Sequence, residues 1–274
     1  MLVRIVREEY SMECIPKIIH YCWFGKKAYN DLTIKCIESW KKYLPDYELI
    51  EWNEDNFDID TNRYVREAYD SKKFAFVTDY VRLFVLNKFG GIYMDTDIEI
   101  LKNFDGLLDH SAFTGFEDKD TLQTAIMGSK KENEWVKSLL EYYETRNFIN
   151  KDGFFDLTTN VSIITNITYH KYNITLNNKL QEIEGILTIY PKDYFCPKNF
   201  YTEKISLTKN TFTIHHFNGS WIDNNDVRAR KIDYKIKKLF GNKLGEIFIL
   251  IIRIYKEEGF KALSNKIIKR AKIR

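Results

Sequence analysis

The chain has 274 residues, of which 44% are hydrophobic and 30% charged, values that exclude collagen-like and low-complexity chains. Its formal net charge of +3 is split: residues 228–274 hold 15 Lys and Arg against 4 Asp and Glu, and the remainder holds 27 against 35. An acidic body with a strongly basic tail points to an anionic membrane or a nucleic acid as the tail's contact. Aromatic side chains make up 15%, able to supply stacking platforms for sugars or bases. Cys14, Cys22, Cys36 and Cys196 form no CxxC pair and suit neither a zinc site nor a disulfide framework, as expected of reduced thiols in a cytoplasmic protein. Arg7, Glu8 and Glu9 follow the first apolar residues, so no signal core is expected, and the apolar run Ile247–Ile252 is too short to span a bilayer.

In chain order, Lys17–Trp23 reads as a β-rich run ended by the Phe24-Gly25 turn. Asp31 caps an expected helix to about Tyr43, with Leu32, Cys36, Ile37 and Trp40 on one face and Pro45-Asp46 beyond its end. Tyr47–Trp52 is the second expected strand, and this β-α-β opening suits a nucleotide-binding sheet. A helix follows over Asn62–Ser71. A stronger one covers Phe74–Phe89, with an apolar stripe of Phe74, Val77, Val81, Phe84 and Val85 and a stop at Gly90-Gly91. Ile92–Met94 is a short strand, and Ile98–Leu101 continues as strand or loop. Ser111–Phe116 and Thr124–Gly128 are further strands, and Glu132–Thr145 is a helix. Asn147–Leu180, with Asn-rich loops, receives no assignment. Leu187–Tyr190 and Thr211–His215 close the series of strands. From about Arg228 the chain is amphipathic, basic and helical, with breaks at Gly245 and Gly259.

The sharpest chemical signal is Asp95-Thr96-Asp97, directly after a strand. Carboxylates two residues apart at a strand end share a side, and such a pair can chelate Mg²⁺ or Mn²⁺ while leaving positions for phosphate oxygens. A bare D-x-D is common in solvated loops, so its surroundings carry the weight. The segment FAFVTDYVRLFVLNKFGGIYMDTDIEIL resembles the DxD sugar-nucleotide glycosyltransferases, particularly glycosyltransferase family 32, which includes yeast-type mannosyltransferases and bacterial polysaccharide enzymes; the catalytic core of the clostridial glucosylating toxins is similar. IPKIIHYCWFG (Ile15–Gly25), TIKCIESW (Thr33–Trp40) with YELIEWNEDNFD, and HHFNGSW (His215–Trp221) extend the resemblance over roughly residues 15–222.

That resemblance implies an α/β fold, a GT-A-type nucleotide-diphospho-sugar transferase with a Rossmann-like mixed sheet flanked by helices, over residues 1–227. A basic amphipathic helical tail, 228–274, lies outside it. The resemblance also implies Asp95 and Asp97 as the cation-holding pair, Trp23 stacked on the nucleobase, and Asp79 and Arg82 on the donor's sugar and diphosphate. Tyr93 would contact nucleotide or phosphate, and Ser220 and Trp221 the diphosphate. Read from spacing alone, Asp79 and Arg82 lie three apart on a face away from the apolar stripe, which a solvated ion pair explains as well. A His of the His215-His216 pair can complete the cation site; alternation places the two on opposite faces, and His216 is the one favoured. His20 reads as structural. Glu117, Asp118, Asp120 and Gln123 follow a strand on the expected acceptor side, and none is singled out as a nucleophile. The family is regarded as retaining, so front-face substitution without a protein nucleophile is the other route.

The implied activity is transfer of a sugar from a nucleotide-sugar donor, UDP-linked in preference to GDP-linked, to a glycan or lipid-linked saccharide in bacterial capsule or surface polysaccharide synthesis. Mn²⁺ or Mg²⁺ would be the cofactor. The tail suggests peripheral contact with the inner face of the membrane. Two other readings use the same features. One is a metal-dependent nucleotide-sugar hydrolase or phosphodiesterase. The other is a nucleic-acid-binding protein using the tail, disfavoured because the body is acidic and the aromatics are not interleaved with Lys and Arg.

Overall fold

Residues 14–218, 224–241 and 244–252 are described by a computed structural model. Strand alternation builds a sheet that must be covered on both sides. Along β1 (Ile18–Cys22), Ile19 and Tyr21 enter one apolar cluster and Cys22 the other. Along β3 (Gly91–Met94), Ile92 and Met94 join the first and Tyr93 the second; Ile126 and Met127 of β6 (Ile126–Ser129) divide the same way. Because both sides of each strand are apolar, both faces need a helical layer. The first cluster packs on α1 (Asp31–Tyr43) through Cys36, Ile37 and Trp40. The second packs on α2 (Arg63–Asp70), α3 (Phe74–Phe89), α4 (Glu134–Glu141) and α5 (Asn160–Tyr172).

With β2 (Glu48–Trp52), β5 (Ala112–Gly115), β7 (Gln181–Ile183) and β8 (Leu187–Tyr190), the main sheet runs β2-β1-β3-β6-β5-β8-β7. β1 is parallel to β2 and β3, β5 is parallel to β8, and β6 and β7 run antiparallel to their neighbours. The result is a Rossmann-like mixed sheet flanked by helices, the architecture expected for a GT-A-type fold. A separate antiparallel pair joins β4 (Ile98–Ile100) to β9 (Thr213–His215). The chain leaves β1 toward β2 on one side and returns to β3 on the other, so the carboxyl ends of β1 and β3 flank a topological switch point, where open α/β sheets bind ligands.

By internal contacts the chain divides into two compact units: Met1–Asn199 with Lys204–Asn218, and Phe200–Glu203 with Gly219–Arg274. The last helix of the first unit is the short α6 (Lys192–Phe195); the second unit contains α7 (Asn224–Phe240) and a helical stretch at 244–252. The expected break at Gly245 falls instead at Gly241, whose φ of +76° ends α7, while Gly245 is helical; Gly259 lies outside the described residues. Among the described residues no helix is long and apolar enough to cross a membrane. All four thiols are unpaired.

Local chemistry explains the element ends. The cap of α1 is Asn30, not Asp31: its side chain accepts from the Thr33 N–H at 2.9 Å. α4 is shorter than the apolar pattern suggests, because Glu132 has φ +56° and Asn133 caps the helix at the Trp135 and Val136 N–H groups. Gly90 and Gly91, at φ +68° and +101°, turn α3 directly into β3. A Cβ at Gly91 would lie 2.8 Å from the Ile18 carbonyl oxygen, so backbone approach as well as φ requires glycine.

His20 on β1 ties these pieces together. Its Nε2 donates to the Gly90 carbonyl at 2.9 Å, and its Nδ1 accepts from Trp52 Nε1 at 3.0 Å. This is a neutral tautomer with both nitrogens used, and burial pushes its pKa from 6.5 down to about 4. The unfolded chain takes up a proton below pH 6.5, whereas the folded chain resists until about pH 4. The stability from neutral burial is therefore complete above pH 6.5 and is lost as pH falls through that window, by about 3 kcal/mol in all. Chemical denaturation between pH 7 and 4 is expected to show this decline, and His20→Gln to flatten it; an unchanged slope in the variant would assign the decline to other groups.

Candidate active site

The site is built at the carboxyl end of β3. The Asp95 N–H donates to the Ala125 carbonyl at 2.8 Å and the Ile98 N–H to the Asp95 carbonyl at 3.1 Å, so the D-T-D segment is a tight turn between β3 and β4. Pairing of β4 with β9 sets Ile98 opposite His215. The His216 N–H then donates to the Asp97 carbonyl at 3.0 Å, and the Asn218 N–H to Asp97 Oδ2 at 2.7 Å. One ligand atom each from Asp95, Asp97 and His215 lies within 4.8 Å of the other two.

The histidine beside the carboxylates is thus His215, not the favoured His216. Adjacent strand residues face opposite ways. His215 Nε2 is 3.5 Å from Asp97 Oδ1, while His216 Nε2 meets Glu99 at 2.7 Å, a carboxylate also held by Lys35. Burial would raise the Asp97 carboxyl and lower the His215 ring. Their mutual attraction, together with the Asn218 N–H on Asp97 and the Cys196 thiol beside His215, outweighs burial in both, and holds Asp97 low and His215 high. His215 Nδ1 is buried with no nitrogen or oxygen partner among the described residues, and the buried Cys196 thiol stands against the ring.

Behind this cluster lies a buried guanidinium. α3 is covered nearly all round, so Asp79 and Arg82, which a solvated pair would leave in water, are 9% and 4% exposed. Arg82 Nη2 is 3.1 Å from Asp79 Oδ1 and 3.4 Å from Asp95 Oδ1, and Nη1 donates to the Thr124 carbonyl at 2.6 Å. Its guanidinium carbon stands 4.7 Å from the centre of the Tyr93 ring, and the Tyr93 hydroxyl donates to Asp95 Oδ1 at 2.9 Å. Burial opposes the charge on Arg82, but Asp95, Tyr93 and Asp79 keep it protonated. Burial, with Asp95 nearby, raises Asp79 to about 7 despite Arg82. Asn160, at the first turn of α5, is 5% exposed and stands against Asp79. Asn160 lies in the stretch without a sequence assignment, where Thr158-Thr159-Asn160 before the run from Val161 is the only cap signal.

Trp23 follows β1 at the same edge of the sheet. Its ring meets Tyr29 edge-on at 4.7 Å, its Nε1 donates to the Lys27 carbonyl, and it lines a groove of about 380 Å³ with Lys26, Tyr29 and Glu51. Glu117 follows β5. Burial raises its carboxyl, and His215, Lys192 and Asp95 contribute to the field on it. Gln123 is fully buried with neither amide atom paired among the described residues, whereas Asp118 and Asp120 are exposed. Ser220 and Trp221 lie outside the described residues.

A mixed α/β sheet thus gathers two carboxylates, an imidazole and a buried arginine at its switch point, the place where open α/β sheets bind ligands. Residues 30–114 match the family described as a glycosyltransferase sugar-binding region containing a DXD motif, in line with the resemblance to family 32 read from the sequence. Asp79, Arg82, Tyr93, Asp95 and Asp97 fall inside the matched stretch; Trp23 and His215 fall outside it.

Inositol phosphoceramide mannosyltransferase 3 of Schizosaccharomyces pombe is 31% identical over 45% of this chain and 36% of its own length. Inositol phosphoceramide mannosyltransferase 2 of the same organism is 28% identical over 47% of this chain and 39% of its own. The match thus spans well under half the length of these curated relatives. Among solved structures, the PaToxG glycosyltransferase superposes with a TM-score of 0.46 at 19% identity, over 59% of this chain and 70% of that one.

The charge network makes an asymmetric prediction. Arg82→Leu leaves two carboxylates facing each other in the interior and is expected to cost about 3–5 kcal/mol of unfolding free energy. Asp79→Asn keeps Arg82 opposite Asp95 and is expected to cost clearly less. Urea unfolding of both variants checks this; equal losses would show that Arg82 stabilises by packing rather than by charge.

Proposed function

We propose that the chain is a retaining, metal-dependent glycosyltransferase that moves a sugar from a nucleotide-sugar donor, UDP-linked by preference, to a glycan or lipid-linked saccharide in bacterial surface polysaccharide assembly. The observation that carries this reading is the convergence of Asp95, Asp97 and His215 on one point at the sheet's switch point. The names of the curated relatives pair a mannosyl group with an inositol phosphoceramide, which supports a lipid-borne acceptor and makes GDP-linked donors the second set to screen.

Two carboxylates and an imidazole fit a divalent cation that keeps open positions, and the nitrogen ligand favours Mn²⁺ over Mg²⁺. Such an ion would neutralise charge developing on the diphosphate as it departs. The remaining roles fall to the chain. Arg82 is charged, desolvated and fixed by Asp79, Asp95 and the Thr124 carbonyl, so it presents a preset cationic field at the pocket without reorganising. Tyr93 orients Asp95 by its hydroxyl. Asp79 accepts from a sugar hydroxyl, and Trp23 stacks on the base in its groove. His216, bound to Glu99, holds the β9 exit in place rather than acting as a ligand. In front-face transfer the C1–O bond to the diphosphate breaks with its electron pair on phosphate. The acceptor oxygen bonds C1 from the same face and gives its proton to the departing phosphate.

With Mn²⁺ and a panel of UDP- and GDP-sugars, Asp97→Asn is expected to lose at least about a hundredfold in transfer while its circular dichroism is unchanged. Full activity of that variant in excess EDTA sinks the reading, and donor cleavage with no glycoside formed from any acceptor favours the hydrolase. Mn²⁺ affinity, followed by electron paramagnetic resonance, is expected to drop more than roughly tenfold in His215→Ala and to change little in His216→Ala.

A further inference from the structure

The second compact unit exposes apolar side chains that its own packing does not use. In α7, Ile232 and Leu239 are 51% and 76% exposed, and in the helical stretch 244–252, Leu244, Ile247 and Phe248 are 56%, 54% and 42% exposed. Ile232 and Leu239 are two turns apart, and Leu244, Ile247 and Phe248 stand at i, i+3 and i+4, so each set marks one face of its helix. Apart from Phe248, the contact between the two helices is made elsewhere. A Cβ on Gly245 would lie 2.7 Å from Lys237 Cα, and Ile249 is 7% exposed. Across the Gly241 turn, the Phe240 and Phe248 rings meet at 4.6 Å and join the two outer faces.

Exposed cations border this apolar surface. Lys231 and Lys237 are paired with Glu203 and Glu246, while Lys235 and Lys238 stand exposed. An apolar patch of this extent needs an apolar partner, and the charge selects which one. A second copy would bring like charges together, and a nucleic acid would leave Leu239, Ile247 and Phe248 in water. An anionic lipid surface satisfies both properties, because apolar faces enter the acyl boundary while lysines stay at the headgroups.

We propose that the helix pair formed by α7 and residues 244–252 is a docking surface for an anionic bilayer, with Leu239, Leu244, Ile247 and Phe248 inserted and Lys235 and Lys238 at the headgroups. This surface is independent of the sugar-transfer reading. Flotation of the full chain with vesicles is the test. Binding is expected to mixed phosphatidylglycerol and phosphatidylcholine vesicles and not to phosphatidylcholine alone. Lys235→Gln and Lys238→Gln are each expected to weaken it roughly fivefold. Leu239→Gln with Ile247→Gln is expected to weaken it at least roughly tenfold, with helicity by circular dichroism and any donor turnover unchanged. Equal binding to neutral vesicles overturns the proposal. So does unchanged partition of the apolar variant, a shift in oligomeric state that accounts for the patch instead, or DNA binding that survives the apolar substitutions.

Discussion

One buried charge organises the candidate site. Arg82 lies inside the protein because α3 is packed against the sheet on one side and against α2 and α4 on the other, and a guanidinium in that position needs opposing charge and acceptors beside it, which its two Nη atoms find while its Nε is left without a partner among the described residues. Asp79, Asp95, the Thr124 carbonyl and the Tyr93 face meet it. Those partners come from α3, from the turn after β3 and from the approach to β6. The same contacts that keep the ion buried therefore hold the first aspartate of the D-T-D turn in one orientation.

Elements with hard chemical stops are legible in the sequence. The bounds of α1 and α3 follow from Pro45 after one and Gly90-Gly91 after the other, and the β-α-β opening follows from period-two runs on either side of a capped helix. α5 was not readable: its run of Val, Ile and Thr has strand propensity, and it is helical because Ile163, Ile164, Thr165 and Thr168 bury one side against the core. Locating Asn160 against Asp79 required that helix first.

The cation cluster shows the same division between local and distant information. Asp95 and Asp97 are two residues apart, so their partnership is local. Choosing between His215 and His216 depends on the register of β9 against β4, which spacing does not report. Burial of the Asp79–Arg82 pair likewise depends on layers contributed by residues beyond 130, so spacing along α3 could not separate a solvated pair from an interior one.

The lock on Asp97 has a consequence for biosynthesis. The bond from the Asn218 N–H to Asp97 closes across 121 residues, and His215 arrives on the same late segment. On a ribosome the two aspartates emerge long before either, so a nascent chain carries the acidic pair with no imidazole beside it. The Asp-Asp-His group is therefore assembled only when the late β9 segment has been made and has paired with β4.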